Sequence, residues 1–293
     1  MSADDELVEA GNGSYGLRFP DLRTELALLV PSPNDWRPWR IVRRRGPGEL
    51  VDGAIGHDFA RLRLAPEGSL VIDRGARTSV FTMPDPPTDA ELVHPYIAAT
   101  AAIAARWDGR QSFHAGGFVV AGRAWGVLGE REVGKSTLLA SLAQLGVPVL
   151  CDDVLVVKEG MALAGPRCID LREPAARTLG WGHEIGLVGT RERWRITLPR
   201  VPAEVPLAGW VTLAWGEAIG FAQVKPSERF PRLLDNLTVI LEPPDPPAVL
   251  ALATLPMLTL ARPRRLDTLP ATAEALVTQL ERVGALRGDP GRL

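Results

Sequence analysis

Residues 129–137, Gly-Glu-Arg-Glu-Val-Gly-Lys-Ser-Thr, have the Gly-x-x-x-x-Gly-Lys-Ser spacing of a loop that wraps backbone amides round phosphates. In such a loop successive N–H groups and the N-terminus of the next helix point at the anion, and the helix dipole adds to the attraction. Spacing assigns the terminal phosphates to Lys135, a Mg²⁺ ion to the Ser136 hydroxyl and the innermost phosphate to Thr137. Gly129, Glu132, Val133 and Gly134 complete the cradle. Three of the four variable positions are charged. Glu130 and Arg131 fall where the loop bulges outward. Glu132 stands where the backbone often needs positive φ, which glycine adopts freely and glutamate at a cost on the order of 1 kcal/mol. The expectation is a working nucleotide site whose binding Glu132 weakens.

Asp152 and Asp153 stand at the seventeenth and eighteenth positions after Lys135, inside the apolar run LCDDVLV. Two adjacent carboxylates repel, which raises one pKa unless a cation intervenes, and Mg²⁺ or Lys135 is that cation. Neighbouring strand residues face opposite ways, so only one of the pair meets the phosphates squarely unless the strand ends there. The pair can divide the labour, one Asp taking a proton from an attacking hydroxyl while the other holds the metal shell. Asp170 and Arg172 in CIDLREP, and Arg191, Arg193 and Arg195 in TRERWRI, are candidates for a metal ligand and for neutralising phosphate charge. Each one singly reads first as a surface ion pair. His114, taken alone, is a hydrogen-bonded core or rim histidine, and His57, His94 and His183 have no company that suggests chemistry.

The elements that must position these groups can be read from periodicity. AWGVLG (124–129), the loop, STLLASLAQLG (136–146) and VPVLCDDVLVV (147–157) form strand, loop, helix and strand, a βαβ unit with the loop at the carboxyl end of its first strand. FHAGGFVVAG (113–122) is a further strand. Upstream, ELALLV (25–30), WRIVRR (39–44) and the alternating run 61–83 read as a β-rich front with an antiparallel meander. PDPPTD (84–89) breaks the chain, and Thr88 with Glu91 makes a capping box for an alanine-rich helix running to Trp107. LAGWVTLAW and IGFAQV flank Gly216-Glu217-Ala218 as a hairpin. Helical patches follow at 226–237 and 246–254, EPPDPP (242–247) is a stiff turn, and TAEALVTQLERVG (272–284) closes the chain. The resulting division is a β-rich domain over 1–88 and an α/β domain with a mixed sheet over 89–293.

Composition narrows the setting. A chain of 293 residues that is 46% hydrophobic buries a large core. A net charge of −2 gives no electrostatic sign of a nucleic-acid partner. Two cysteines, Cys151 and Cys168, make neither a disulfide framework nor a metal knuckle. The first twenty residues are acidic and polar, unlike a signal peptide, and ELALLV and AATAAIAA are far too short to span a bilayer. The expectation is a cytoplasmic protein without a membrane partner, with a homo-oligomer allowed.

Residues 113–153 resemble the catalytic core of the HPr kinase/phosphorylase family, with His114 fifteen positions before Gly129, Gly146 eleven positions after Lys135, and the Asp-Asp pair next. The resemblance spans about residues 112–180. It implies a P-loop kinase core that phosphorylates a serine hydroxyl of a protein or peptide from ATP, or another nucleoside triphosphate, with Mg²⁺. By carry-over Asp152 is the general base, with His114 and Asp153 beside it around the phosphoryl group. CIDLR is similar to the family's Glu-Ile-Arg-Gly segment, which puts Asp170 at the metal-associated acid and Arg172 at the arginine. Glu132 in place of glycine, and Glu173-Pro174 after Arg172, depart from the pattern and count against the reverse, phosphorylase reaction. The β-rich front does not resemble the family's amino-terminal domain, so the acceptor implied is a ribosomally made peptide of the lasso type rather than HPr. Two other readings stand beside this one: a small-molecule kinase with TRERWR as an arginine-rich lid, and a nucleotide-binding module without catalysis.

Overall fold

Five of the six residues in the strand Arg123–Leu128 are buried, as a strand covered on both faces requires. It lies inside a nine-stranded mixed sheet ordered Val149–Cys151, Ala115–Val120, Arg123–Leu128, Glu204–Trp215, Met161–Leu163, Leu155–Lys158 and Gln111–Phe113, with Met257–Arg262 and Gly220–Gln223 branching from Glu204–Trp215. This computed structural model describes residues 11–22, 28–49, 53–241 and 246–288. Arg123–Leu128, Glu204–Trp215 and Met257–Arg262 are mutually parallel, so their carboxyl ends share one edge of the sheet with the loop that follows Leu128. Ala115–Val120 runs antiparallel to both Arg123–Leu128 and Val149–Cys151. The helix Lys135–Gln144 therefore crosses over one intervening strand. It can lie close because a Cβ at Gly116 would stand 2.4 Å from Leu139 Cδ1.

Alternation along the central strand separates two buried layers. Trp125 and Val127 join Leu138, Leu139, Leu142, Val211, Leu260 and Leu276 in one cluster, beneath the loop helix and the closing helix Leu269–Gly288. Ala124 and Leu128 join Phe113, Leu155 and Trp210 in the other. That second cluster continues into the front of the chain through Tyr15, Trp36, Trp39, Ile72 and Phe81. Backbone bonds from Tyr15 N to Ala164 O (2.6 Å) and from Arg167 N to Leu28 O (2.7 Å) tie the two parts together.

The front holds two four-stranded sheets. One comprises Val30–Pro31, Asn12–Ser14, Leu17–Arg18 and Arg37–Pro38; the other is the expected meander Phe59–Leu64, Gly68–Asp73 and Thr78–Met83, with Arg40–Arg45 added parallel to its last strand. Residues 25–27 of the expected strand 25–30, and 242–245 of the expected stiff turn, lie outside the described residues. The Thr88–Glu91 capping box forms as read, with Thr88 N donating to Glu91 Oε2 at 2.7 Å. The helix beyond it is broken over Leu92–Tyr96, where Pro95 has no amide to donate, before Ile97–Trp107 resumes. Two further expectations are corrected. The segment 147–157 is two strands, not one, because the chain turns at Asp152-Asp153-Val154. Glu204–Trp215 does not form a hairpin with Gly220–Gln223, since Met257–Arg262 lies between them and pairs with both. Cys168–Leu171, Arg191–Thr197 and His183–Val188 form a separate three-stranded ribbon. No helix among the described residues is long and apolar enough to cross a membrane.

Candidate active site

The loop leaves the central strand at Leu128 and turns through Gly129, Glu132 (φ 66°) and Gly134 (φ 89°) before the helix begins. Glu132 thus takes the left-handed conformation that its position called for. Its carboxylate pairs with the Arg172 guanidinium, both side chains being largely exposed. Lys135, 7% exposed, turns back on the loop: its Nζ donates to Gly129 O at 2.6 Å and to Glu130 O at 3.0 Å. Burial lowers its pKa, while Asp152 and Asp153 oppose the shift. The far side of the loop is braced by Arg262, whose Nη2 donates to Val133 O at 2.7 Å and to Gly134 O at 3.3 Å. Burial brings the Arg262 pKa down to about 10. No local pattern in the sequence pointed to Arg262; it follows from the parallel pairing of its strand.

Asp152 is 2% exposed and accepts a 3.0 Å hydrogen bond from Ser136 Oγ. Burial, and then repulsion from Asp153, push its pKa well up, against the opposing Ser136 bond. Asp153 takes φ 64°, the chain turning at this residue, and its side chain is 40% exposed. The strand does end at the pair, so both carboxylates stay near the loop although neighbouring strand residues would diverge. His114 is half-buried; burial and then Lys135 lower its pKa, while Asp153 opposes them.

His94 overturns the reading that it lacked company. It is 2% exposed, with Nε2 3.6 Å from Asp153 Oδ2 and 3.9 Å from Asp170 Oδ2. That nitrogen is buried without a hydrogen-bond partner. Burial lowers the His94 pKa despite Asp170 and Asp153, which favours a neutral ring with a lone pair to offer. One donor atom each from His94, Asp152 and Asp153 lies within 4.8 Å of the others. Two carboxylates, a serine hydroxyl and an orphaned imidazole nitrogen fit a divalent cation, and the oxygen-dominated set suits Mg²⁺.

Asp170 reaches the same neighbourhood but is already neutralised. Arg195 grips it with two bonds, Nε to Oδ1 at 2.7 Å and Nη2 to Oδ2 at 2.9 Å, and Arg193 Nη1 stands 3.5 Å from Oδ2. Burial would raise the Asp170 pKa, but the Arg195 bonds and the charges of Arg195 and Arg193 outweigh it and hold the group below its ordinary value. Arg195, itself 2% exposed, also donates to Ala90 O (2.7 Å) and His94 O (2.6 Å). The pairing comes from register, since Asp170 and Arg195 are direct partners on neighbouring antiparallel strands. Arg195 is therefore a brace for the segment that carries His94, not a free phosphate ligand, and Asp170 is the acid it holds. Arg191, exposed, Arg193, 19% exposed, and Arg172, 60% exposed, are the arginines of the expected set that reach solvent.

No protein-family model matches the chain, and no curated protein matches it. Among solved structures, the Hpr(Ser) kinase/phosphatase from Coxiella burnetii is similar over 60% of this chain and 98% of its own, at 16% identity and a TM-score of 0.32. A likeness that distant assigns no residue roles.

Proposed function

We propose that the chain is an ATP- and Mg²⁺-dependent phosphotransferase that moves the γ-phosphoryl group to the serine hydroxyl of a peptide or protein. The observation that carries this is the 3.0 Å bond from Ser136 Oγ to the buried Asp152, beside a loop whose lysine is poised over its own carbonyls. Ser136 and Asp152 would hold Mg²⁺, with Asp153 and His94 in reach, and the ion supplies charge neutralisation across the β- and γ-phosphates when bound.

Exposure supports assigning the two aspartates the reverse of the roles expected from the sequence. Asp152, at 2% exposure and bonded to Ser136, has no face for an acceptor hydroxyl. Asp153, at 40% exposure, does. A general base must lie within hydrogen-bond reach of the proton it removes, so Asp153 is the base. The serine oxygen bonds the γ-phosphorus, the bridging bond to the β-phosphate breaks, and the serine proton passes to the Asp153 carboxylate. ADP carries away the leaving charge beside Lys135. The acceptor class is what the resemblance of residues 113–153 to the HPr kinase/phosphorylase core implies; serine in a ribosomally made peptide is the form proposed.

The test is transfer of labelled γ-phosphate to serine-containing peptides, with free serine, threonine and sugars as parallel acceptors. Label is expected on peptides alone. Label on a free amino acid or sugar would establish a small-molecule kinase, and ATP binding without any transfer would establish a non-catalytic module. Asp153→Asn should retain ATP·Mg²⁺ binding and lose transfer by about a hundredfold or more, the range of a positioned general base. Asp152→Asn should weaken Mg²⁺-dependent nucleotide binding. The reverse pattern would restore Asp152 as the base.

A further inference from the structure

Trp215 ends the strand Glu204–Trp215 and is one of two exposed large aromatic residues among those described, the other being Phe59 on the front sheet. It stands 41% exposed on the edge where the parallel strands present their carboxyl ends. It is also register partner to Arg262, whose guanidinium carbon lies 4.6 Å from the Trp215 ring centroid. The same guanidinium donates to Val133 O and Gly134 O, so ring and phosphate loop are joined through one side chain. A second guanidinium, Arg264, stands 5.6 Å from the ring centroid. Arg262 is 4% exposed and its Nε is buried without a partner.

The indole is 41% exposed and backed by two guanidinia, so it offers ring surface to a ligand at the mouth of the loop. Indole and guanidinium faces both stack on flat heteroaromatic rings. Ligands of parallel sheets sit outside the carboxyl ends of the strands, which is where this pair lies. We infer that Trp215, backed by Arg262 and Arg264, is the platform on which the nucleobase of the triphosphate stacks. The inference rests on the phosphate-loop reading above and adds to it the part of the ligand the loop does not touch. A ring and two guanidinia recognise a π-face more than an edge, so purines are held more tightly than pyrimidines and ATP is separated little from GTP.

The test compares binding of ATP, GTP, CTP and inorganic tripolyphosphate, each with Mg²⁺, to the wild-type protein and to Trp215→Ala and Trp215→Phe. Wild-type protein should bind purine nucleotides about tenfold more tightly than tripolyphosphate, within what one base–aromatic stack supplies. Trp215→Ala should lose that margin, and with it the purine preference, while its tripolyphosphate affinity stays at the wild-type value. Trp215→Phe should keep most of the margin. Equal loss of ATP and tripolyphosphate affinity in Trp215→Ala would show a prop for Arg262 and overturn the platform, as would unchanged ATP affinity. Failure of wild-type protein to bind either ligand would overturn the phosphate-loop reading instead.

Discussion

Two buried aspartates, Asp152 and Asp170, have opposite electrostatic fates. Asp170 is clasped by Arg195 and faced by Arg193, and its pKa is held below the ordinary range. Asp152 has a hydroxyl for a partner and a second carboxylate for a neighbour, and its pKa is pushed well up. Burial costs both groups the same kind of solvation. One region repays that cost from within the polypeptide and is complete as a structure. The other leaves a carboxyl whose ionised form folding alone does not satisfy, beside an imidazole nitrogen with no partner. That incomplete neutralisation beside the Gly129–Gly134 loop is what supports the proposed ion site.

The largest effect that would break this contrast is at Arg195. Arg195→Ala should cost about 3–5 kcal/mol of stability, since it strands the Asp170 charge and releases the carbonyls of Ala90 and His94. Urea unfolding measures it, and a loss below about 1 kcal/mol, the worth of an exposed pair, would mean that Asp170 is not held as a buried ion.

A smaller effect separates the two acids by pH. Asp152 binds its proton more tightly folded than unfolded, so its contribution favours the fold at low pH and is lost as pH rises from the ordinary carboxylate range through its raised value. Asp170, with its pKa depressed, contributes stability above the ordinary range that is lost as pH falls through its folded value. Mg²⁺ needs the ionised Asp152. The rise in melting temperature on adding MgCl₂ should therefore grow as pH rises above the ordinary carboxylate range in wild-type protein and shrink sharply in Asp152→Asn. A pH-independent rise would place the ion elsewhere.

The smallest effect is at Glu132. Its positive φ is already present in the resting loop, so the strain belongs to folding rather than to nucleotide binding. What Glu132 sets against a nucleotide is its charge and its hold on Arg172. Glu132→Gln and Glu132→Gly should both tighten ATP binding by about threefold at low salt, fading at high salt as exposed charges are screened. Tightening by the glycine variant alone would return the effect to backbone strain.

Local chemistry was legible in the sequence. The loop helix, the Thr88–Glu91 cap, the front meander and the positive φ of Glu132 each depend on residues within a few positions of one another. The groups that the sequence hid depend on distant partners. Arg262 meets Gly134 across 128 residues, and Arg195 meets the His94 carbonyl across 101. The hairpin expected around Gly216 failed for the same reason: a good local turn lost to a six-residue parallel pairing with a strand more than forty residues downstream. Alternation within LCDDVLV correctly raised the problem of two aspartates facing one site. The turn at Asp153 that resolves it required the backbone.

The inward fold of Lys135 sets a threshold on what the protein admits. Its ammonium already serves two peptide oxygens, at 2.6 and 3.0 Å, so an arriving anion must replace both before it gains the lysine's attraction. A lone sulfate or orthophosphate offers few oxygens and little charge for that exchange, whereas a chain of phosphates lying along the loop amides offers several at once. On the proposed reading, the resting lysine therefore favours polyvalent anions over small ones.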